Sequence, residues 1–273
     1  MVELDPALMS DFQRDGVVCV RGVFGREWLS LLEAGIERNL REPGPLAKFY
    51  TPQGAPGRFF GDYCSWRRLS EYEEFLKNSP AAELAGLLMG SSRVNLFHEH
   101  VLVKDAGTLE KTPWHHDQPY WTVDGDQVCS IWISVDPVPR ETCPEFVRGS
   151  HRWGIWYTPR RFVDHGEHPA EDPNFRAVPN IDADRDSYDL VSWELEPGDC
   201  VVFHGLTLHG APGNRLSTPR RAMACRFTGD DARYVLRSGF MSPPPQDGAP
   251  EPGAPMDSAA FPVVWRRESV GQT

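Results

Sequence analysis

Val94-Asn95-Leu96-Phe97-His98-Glu99-His100-Val101-Leu102-Val103-Lys104 marks the point where the chain turns from helix to strand. The run is rich in β-branched and apolar residues and stops at the polar turn Asp105-Ala106-Gly107. Residues two apart on a strand share a face, so His98 and His100 lie on one side. Upstream the spacing is helical. Pro6 to Arg14 carries Leu8, Met9 and Phe12, ends at Gly16, and gives way to a brief β-rich run, Val17 to Val20. Arg26 to Leu40 sets Trp28, Leu31, Leu32, Ile36 and Leu40 on one face before Pro43-Gly44-Pro45 stops it. Residues 46–68 are aromatic and turn-rich, and Ser70 to Lys77 opens a helix that continues after Pro80. Downstream the chain is strand-like at Val128 to Val135, with Cys129, Ile131, Ile133 and Val135 on one phase. Cys200 to Phe203, behind the Gly198-Asp199 turn, and Arg221 to Phe227 read the same way. Short strands after a helical start predict a mainly β fold, an antiparallel sandwich or barrel with flanking helices.

The 273 residues suffice for one large domain or two small ones. A net charge of −11 argues against broad attraction to nucleic acid or to an anionic membrane. No apolar run approaches the roughly 18 residues of a membrane span. Met1-Val2-Glu3-Leu4-Asp5 lacks the basic start and apolar run of a signal peptide. The six cysteines form no CxxC pair and read as buried thiols, so the expected compartment is the cytoplasm. Nothing bears on oligomeric state. Residues 157–190 are rich in Pro, Asp, Arg and His without periodicity, a loop long enough to be functional or mobile. Six prolines between Met241 and Met256 read as an extended or disordered segment. The expected organisation is therefore a domain over 1–240 and a Pro-rich tail over 241–273.

Trp114-His115-His116-Asp117 and Leu206-Thr207-Leu208-His209-Gly210 carry the candidate chemistry. On a strand end, His115 and Asp117 can reach one ion while His116 points away. Imidazole with carboxylate suits Fe(II), Mn(II) or Zn(II) better than Mg(II) or Ca(II). A third ligand must come from a neighbouring strand. His209 is well placed, following a β-rich run and preceding the Gly210-Ala211-Pro212-Gly213 turn. Three protein ligands that leave positions open suit a non-haem Fe(II) oxygenase. A His-x-Asp triplet alone reads equally as a salt bridge. His165-Gly166-Glu167-His168 is a competing cluster, read as a solvated turn in the aperiodic loop. His98 reads as a core residue or as one that backs a site.

Five further stretches decide between these readings. They are Phe12 to Val18, Thr112-Pro113-Trp114-His115-His116-Asp117-Gln118-Pro119-Tyr120-Trp121, Glu145 to His151, Gly198 to His204, and His209 to Asn214 with Arg220-Arg221-Ala222. Together they resemble, over about residues 10–230, the phytanoyl-CoA dioxygenase family of Fe(II)/2-oxoglutarate oxygenases. The resemblance implies a double-stranded β-helix of jelly-roll, cupin-like type, with His115, Asp117 and His209 as iron ligands. It implies that Arg220, eleven residues after His209, pairs with the distal carboxylate of 2-oxoglutarate, which a planar guanidinium grips in bidentate fashion. On an alternating strand Arg220, Ala222 and Ala224 share a face and leave room for a cosubstrate, with Arg221 the exposed neighbour. Trp132 and His100 are the further cosubstrate-pocket candidates, while His204 and His151 read as structural. The implied cofactors are Fe(II), 2-oxoglutarate and O2, with succinate and CO2 released as a small organic molecule is hydroxylated. A specialised metabolite, an amino acid or an acyl derivative fits that description. Related halogenases have a small residue in place of the carboxylate, so an intact Asp117 points away from halogenation.

Location alone nominates Tyr120, Trp121, Phe60, Trp156 and Arg160 as substrate contacts. Phe59, Tyr63, Trp66, Tyr157 and Arg161 stand beside them as weaker candidates. Two other classes stay open: a cupin-type metal-dependent isomerase or lyase, and an inactive binding module on the same scaffold.

Overall fold

A computed structural model describes residues 2, 4–162, 164, 166–168 and 172–268. The helices are α1 (Pro6–Asp15), α2 (Arg26–Arg41), α3 (Ser70–Asn78) and α4 (Ala81–Met89). The first seven strands are β1 (Val17–Val20), β2 (Lys48–Phe49), β3 (Phe59–Tyr63), β4 (Arg93–Lys104), β5 (Thr112–His115), β6 (Val123–Asp124) and β7 (Val128–Ser134). The remainder are β8 (Glu145–Val147), β9 (Leu190–Val191), β10 (Cys200–His204), β11 (His209–Ala211), β12 (Arg220–Thr228), β13 (Arg233–Tyr234) and β14 (Val263–Arg266). Local chemistry sets the ends of α1. Asp5 caps it by accepting the Ala7 N–H at 2.9 Å, and Gly16 closes it at φ 73° with its own N–H on the Phe12 carbonyl. A Cβ at Gly16 would also fall 2.3 Å from His151 Nδ1, so only glycine fits there.

An eight-stranded antiparallel sheet runs β1-β10-β7-β12-β4-β3-β2, with β14 also paired to β4. A second sheet runs β5-β11-β8-β9, and β13 pairs with β6. Two facing antiparallel sheets with helices outside form the expected double-stranded β-helix. Parity along each strand divides the interior in two. Cys129, Ile131, Ile133, Cys200, Val202, Met223 and Cys225 face the helices, packing with Leu32, Ile36, Phe75 and Leu84. Their neighbours Trp132, Val201, Phe203, Ala222 and Ala224 face the second sheet and meet Phe146. The site can lie only on this second face. Each buried aliphatic side chain on either face contributes about 1.5–3 kcal/mol.

The Pro-rich segment is not a tail, and the expectation of an extended piece outside the domain is corrected here. Met256, Ala260 and Phe261 are buried against Phe97, Trp121, Val123 and Tyr234. Asn95 Nδ2 donates to the Phe261 carbonyl at 2.8 Å, and β14 then joins the large sheet. Trp265 lies so close to Gly86 that a Cβ there would come within 2.4 Å of its ring. Proline content suppressed the strand reading, yet apolar residues between the prolines supply enough surface to dock. Residues 269–273 of that expected tail lie outside the described residues. The 157–190 stretch is largely irregular, as expected, but anchored by buried Tyr157 and Ile181 and by Trp114 Nε1 donating to Asp182 at 3.0 Å.

Behind β4, Glu99 is buried with one oxygen on the Ser65 N–H at 2.5 Å and the other without a partner. Burial pushes its carboxyl up to about 8, with the charge of nearby Asp62 adding. The folded chain therefore keeps a proton that an unfolded glutamate releases above about pH 4.5, so this group's contribution to stability falls as pH rises toward 8. Glu99→Gln preserves the protonated shape and removes the titration. The stability of the wild type relative to Glu99→Gln is expected to decline across that window by up to about 1.4 kcal/mol per pH unit. Urea unfolding of both proteins across the window measures this; parallel stability curves would contradict it.

Candidate metal centre

Strand pairing brings the two ligand histidines together. His209 on β11 stands opposite His115 on β5, with ring centroids 4.2 Å apart. Asp117 reaches them differently from the expectation. It lies beyond the end of β5, at φ −81° and ψ −49°, where it opens the 3-10 turn Gln118–Tyr120. The shared strand face is corrected to a strand end plus a turn. That turn is fixed by the Asp117 and Gln118 N–H groups, which both donate to the Gly205 carbonyl, at 3.1 and 3.0 Å. One donor atom from each of His115, Asp117 and His209 lies within 4.8 Å of the others, and all three residues are buried.

Hydrogen bonds set the tautomers. His115 Nδ1 is 2.7 Å from the Pro113 carbonyl and His209 Nδ1 is 2.9 Å from that of Thr207. A carbonyl only accepts, so each Nδ1 carries the proton and each Nε2 presents a lone pair. His115 Nε2 lies 3.5 Å from Asp117 Oδ1. Burial, with His115 adding, holds His209 at about 3, so it is neutral at neutral pH. Burial pushes the Asp117 carboxyl up, but the Arg226 charge outweighs it, leaving the carboxyl well below its ordinary range. Two imidazoles that present Nε2 and one carboxylate, each oriented from behind, match the donor set for Fe(II), Mn(II) or Zn(II). His116 lies outside the trio. Its ring packs at 4.8 Å from Tyr157 and both its nitrogens lack partners.

Beside the trio is a small cavity whose wall includes Arg220, Trp132, His100, Phe59, Phe146 and Ala224. Arg220 is 4% exposed, with Nη1 donating to the Thr142 carbonyl and Nε without a partner. Among the described residues no carboxylate comes within ion-pair distance of it. Burial lowers its pKa to about 10, which leaves it charged at neutral pH. Lys104, directly across the ladder, is also buried; its Nζ donates to the Pro212 carbonyl at 2.8 Å and sits over Phe59. Arg220 thus brings a positive charge to the pocket wall with no carboxylate partner among the described residues. Arg221, read as the exposed neighbour, is instead clamped by Asp136, Glu37 and Glu33 at 2.7, 2.8 and 2.9 Å.

A larger cavity opens outward, with about 780 Å³ of space not filled by atoms, part of it open to solvent. Tyr120, Trp121 and Arg160 line it, as do Tyr63 and Arg161. Tyr120 also donates its hydroxyl to Asp117 Oδ1. Two candidates are displaced. Phe60 turns into the helix-facing core with Trp66, because β3 parity puts Phe59 on the site side. Trp156 stacks on Phe175 and lies under Arg237, away from both cavities. Of the competing cluster, His165 lies outside the described residues, while His168 is no free turn residue but stacks on Phe240 at 3.6 Å and lines the outer cavity. His204 Nε2 donates to the Asp126 carbonyl at 2.7 Å, and its ring packs on His151, a structural role for both.

Arg226 escaped the sequence reading. It is buried, contacts Asp117 Oδ2 at 3.5 Å, lies over Trp121 and lines both cavities. Its signal was present: Arg226 shares the strand phase of Arg220, six residues on.

The phytanoyl-CoA dioxygenase (PhyH) family profile matches residues 12–222. A probable phytanoyl-CoA dioxygenase of Caenorhabditis elegans is 28% identical over 174 residues, covering 61% of this chain and 54% of that protein. The peroxisomal phytanoyl-CoA dioxygenase of Homo sapiens is 24% identical over 143 residues, covering 50% and 40%. The chain spans about half the length of these curated relatives. Among solved structures, the epimerase SnoN in complex with Fe3+, alpha ketoglutarate and nogalamycin RO superimposes with a TM-score of 0.75 at 23% identity, covering 96% of this chain and all of that one. EctD from S. alaskensis, with 2-oxoglutarate and 5-hydroxyectoine, gives 0.66 at 16%, covering 89% and 82%. These structural likenesses establish the shared double-stranded β-helix.

Proposed function

The chain belongs to the phytanoyl-CoA dioxygenase family, and from that premise we propose that it is an Fe(II)- and 2-oxoglutarate-dependent dioxygenase that hydroxylates a small organic molecule, releasing succinate and CO2. His115, Asp117 and His209 hold the iron. Arg220 takes the distal carboxylate of 2-oxoglutarate, with Trp132 and His100 beside it. The observation that carries the reading is the buried Arg220 guanidinium, with no carboxylate partner among the described residues, on the wall of a cavity it shares with His115 and His209. An uncompensated buried charge is costly, and a dicarboxylate supplies the missing anion. A ferrous ion, the Asp117 carboxylate, a 2-oxoglutarate dianion and the Arg220 guanidinium sum to zero, and Arg226 adds one positive charge beside Asp117.

Bound iron, 2-oxoglutarate and O2 supply the oxidant for a C–H bond. The residues of the chain do the rest. The Pro113 and Thr207 carbonyls keep both histidine Nε2 lone pairs available. Tyr120 and Arg226 fix the Asp117 carboxylate from two sides. Phe59, Leu102, Phe146 and Phe203 make the inner wall apolar and limit water beside the reacting centre. Tyr120 and Trp121 face the outer cavity, where the substrate stands within reach of the metal side. All six cysteines are free thiols, which supports the cytoplasmic expectation, and no helix among the described residues is long and apolar enough to cross a membrane.

Calorimetry tests the assignment. The protein is expected to bind one Mn(II) per chain and then one 2-oxoglutarate, with no heat from 2-oxoglutarate before the metal is added. Absence of 2-oxoglutarate binding to metal-loaded protein would overturn the function. Turnover with Zn(II) and no 2-oxoglutarate would favour the isomerase or lyase reading instead.

A further inference from the structure

The outer cavity is unusual for an acidic protein. Its charged lining residues are Lys48, Arg160, Arg161 and Arg226, and among the described residues no aspartate or glutamate joins them. The chain as a whole carries −11, so this concentration of cations is local. Arg161 is paired with Asp164 at 2.9 Å and Arg226 loosely with Asp117 at 3.5 Å, and Arg160 has an interaction of its own. Lys48, exposed at the mouth, has no carboxylate within ion-pair distance among the described residues and lies 5.8 Å over the Tyr63 ring. The floor has its own unmet requirements. His98 Nδ1, His100 Nε2 and Arg226 Nε are all shielded from solvent and have no hydrogen-bond partner. His98 and Arg226 are themselves only 3% and 5% exposed. A guanidinium offers only donors, and each orphan imidazole nitrogen donates in one of its two tautomers, so an acceptor oxygen can answer this floor.

Aromatic rings form the sides. Tyr50 and Phe162 pack at 5.4 Å on one wall, and Tyr120 and Phe240 at 6.1 Å on the other. Gly61 holds the first wall close, because a Cβ there would come within 2.6 Å of the Tyr50 ring and 3.1 Å of His100 Nε2. A lining that includes Tyr50, Phe162, Tyr120 and Phe240 favours contact with a flat π system over a branched aliphatic chain.

We propose that this cavity takes an organic anion built on a flat conjugated ring, its negative group toward Lys48 at the mouth and an acceptor oxygen on the floor of His98, His100 and Arg226. The proposal rests on the inner pocket being the metal and 2-oxoglutarate site, since it assigns the outer cavity to the substrate. Arg226 lines both cavities, so a ligand oxygen on its Nε would lie on the same side chain that braces the Asp117 carboxylate.

Binding of four probes to protein saturated with Mn(II) and 2-oxoglutarate tests this by calorimetry. 2-Naphthoate is expected to bind. Its neutral amide should bind at least about tenfold more weakly, a difference of about 1.4 kcal/mol. The 2-naphthylmethylammonium cation and the saturated anion decalin-2-carboxylate should both also bind more weakly than naphthoate. Lys48→Gln, at an exposed position, should weaken naphthoate several-fold and leave the amide unchanged. Equal affinity for naphthoate and its amide, tighter binding of the cation, or displacement of naphthoate by added 2-oxoglutarate would each overturn the proposal. Equal affinity for naphthoate and decalin-2-carboxylate would overturn the flat-ring assignment. The same titrations without 2-oxoglutarate separate the two readings. Charge discrimination that persists in a protein unable to bind 2-oxoglutarate would sink the cosubstrate assignment while sparing the outer cavity.

Discussion

Asp117→Ala is expected to leave a protein that no longer retains iron or manganese and releases no succinate above background. The carboxylate is the one anion among His115, His209 and Arg226, and it is both the charged ligand and the partner of the buried guanidinium. Loss of a residue that merely supports a ligand costs about 10–100-fold in metal affinity; loss of the ligand itself should exceed about 100-fold. The apo protein should also be weakened, because Arg226 is left buried without its partner, a change of about 3–5 kcal/mol. Asp117→Asn separates the two effects. An amide oxygen still accepts from Tyr120 and keeps the shape of the turn, so a folded Asp117→Asn protein that fails to bind Mn(II) places the defect in the ligand. Full Mn(II) binding by either variant, measured by titration and metal content, would remove Asp117 from the metal site.

Arg220→Met is expected to separate cosubstrate from metal. Truncating one member of a buried charged pair costs about 2–5 kcal/mol, roughly a 30- to 5000-fold rise in the dissociation constant for 2-oxoglutarate. Mn(II) affinity should change by no more than a few-fold, since Arg220 is not among the residues whose donor atoms converge at the ion. Stability gives an independent readout. Without ligand, Arg220 is a buried cation with no carboxylate partner, so replacing it with an apolar chain of similar length should hold or raise the thermal midpoint. Only the stabilisation produced by added 2-oxoglutarate should disappear. Equal loss of metal and 2-oxoglutarate, or a large fall in the midpoint of the unliganded protein, would mean that Arg220 has a structural duty rather than a binding one.

The strands were legible because each has two distinct faces. On β7 and β12 the apolar phase of Ile131, Ile133, Met223 and Cys225 packs under the helices, so the opposite phase must hold whatever the site uses. Arg220, Ala222 and Ala224 emerged from that alternation. Arg226 belongs to the same phase, but as one of many arginines in the chain it gave no sign that its partner was Asp117, far back in sequence. Parity alone could not tell Phe59 from Phe60, since either phase of β3 is aromatic; pairing with β4, Phe59 opposite Lys104, settles which ring meets the site. The turn that carries Asp117 was hidden too, because it is set by the distant Gly205 carbonyl. Composition misled most at the prolines after Met241. Low hydrophobicity there masked Met256, Ala260 and Phe261, whose burial depends on a surface built by residues near 97 and 121.

That late strand has a consequence for how the chain is made. Asn95 and Phe261 are hydrogen-bonded across 166 residues, and β14 covers an edge of β4 that β3 does not reach. A growing chain emerges from the ribosome N-terminus first, so this edge and the aromatic patch of Phe97 and Trp121 stay uncovered until the residues around Phe261 and β14 have been made. Truncated translation products that stop before Phe261 would carry both the open strand edge and the bare patch, the combination that recruits neighbouring chains. That strand therefore acts as a clasp in biosynthesis, closing a sheet edge and an apolar patch that the earlier residues leave open.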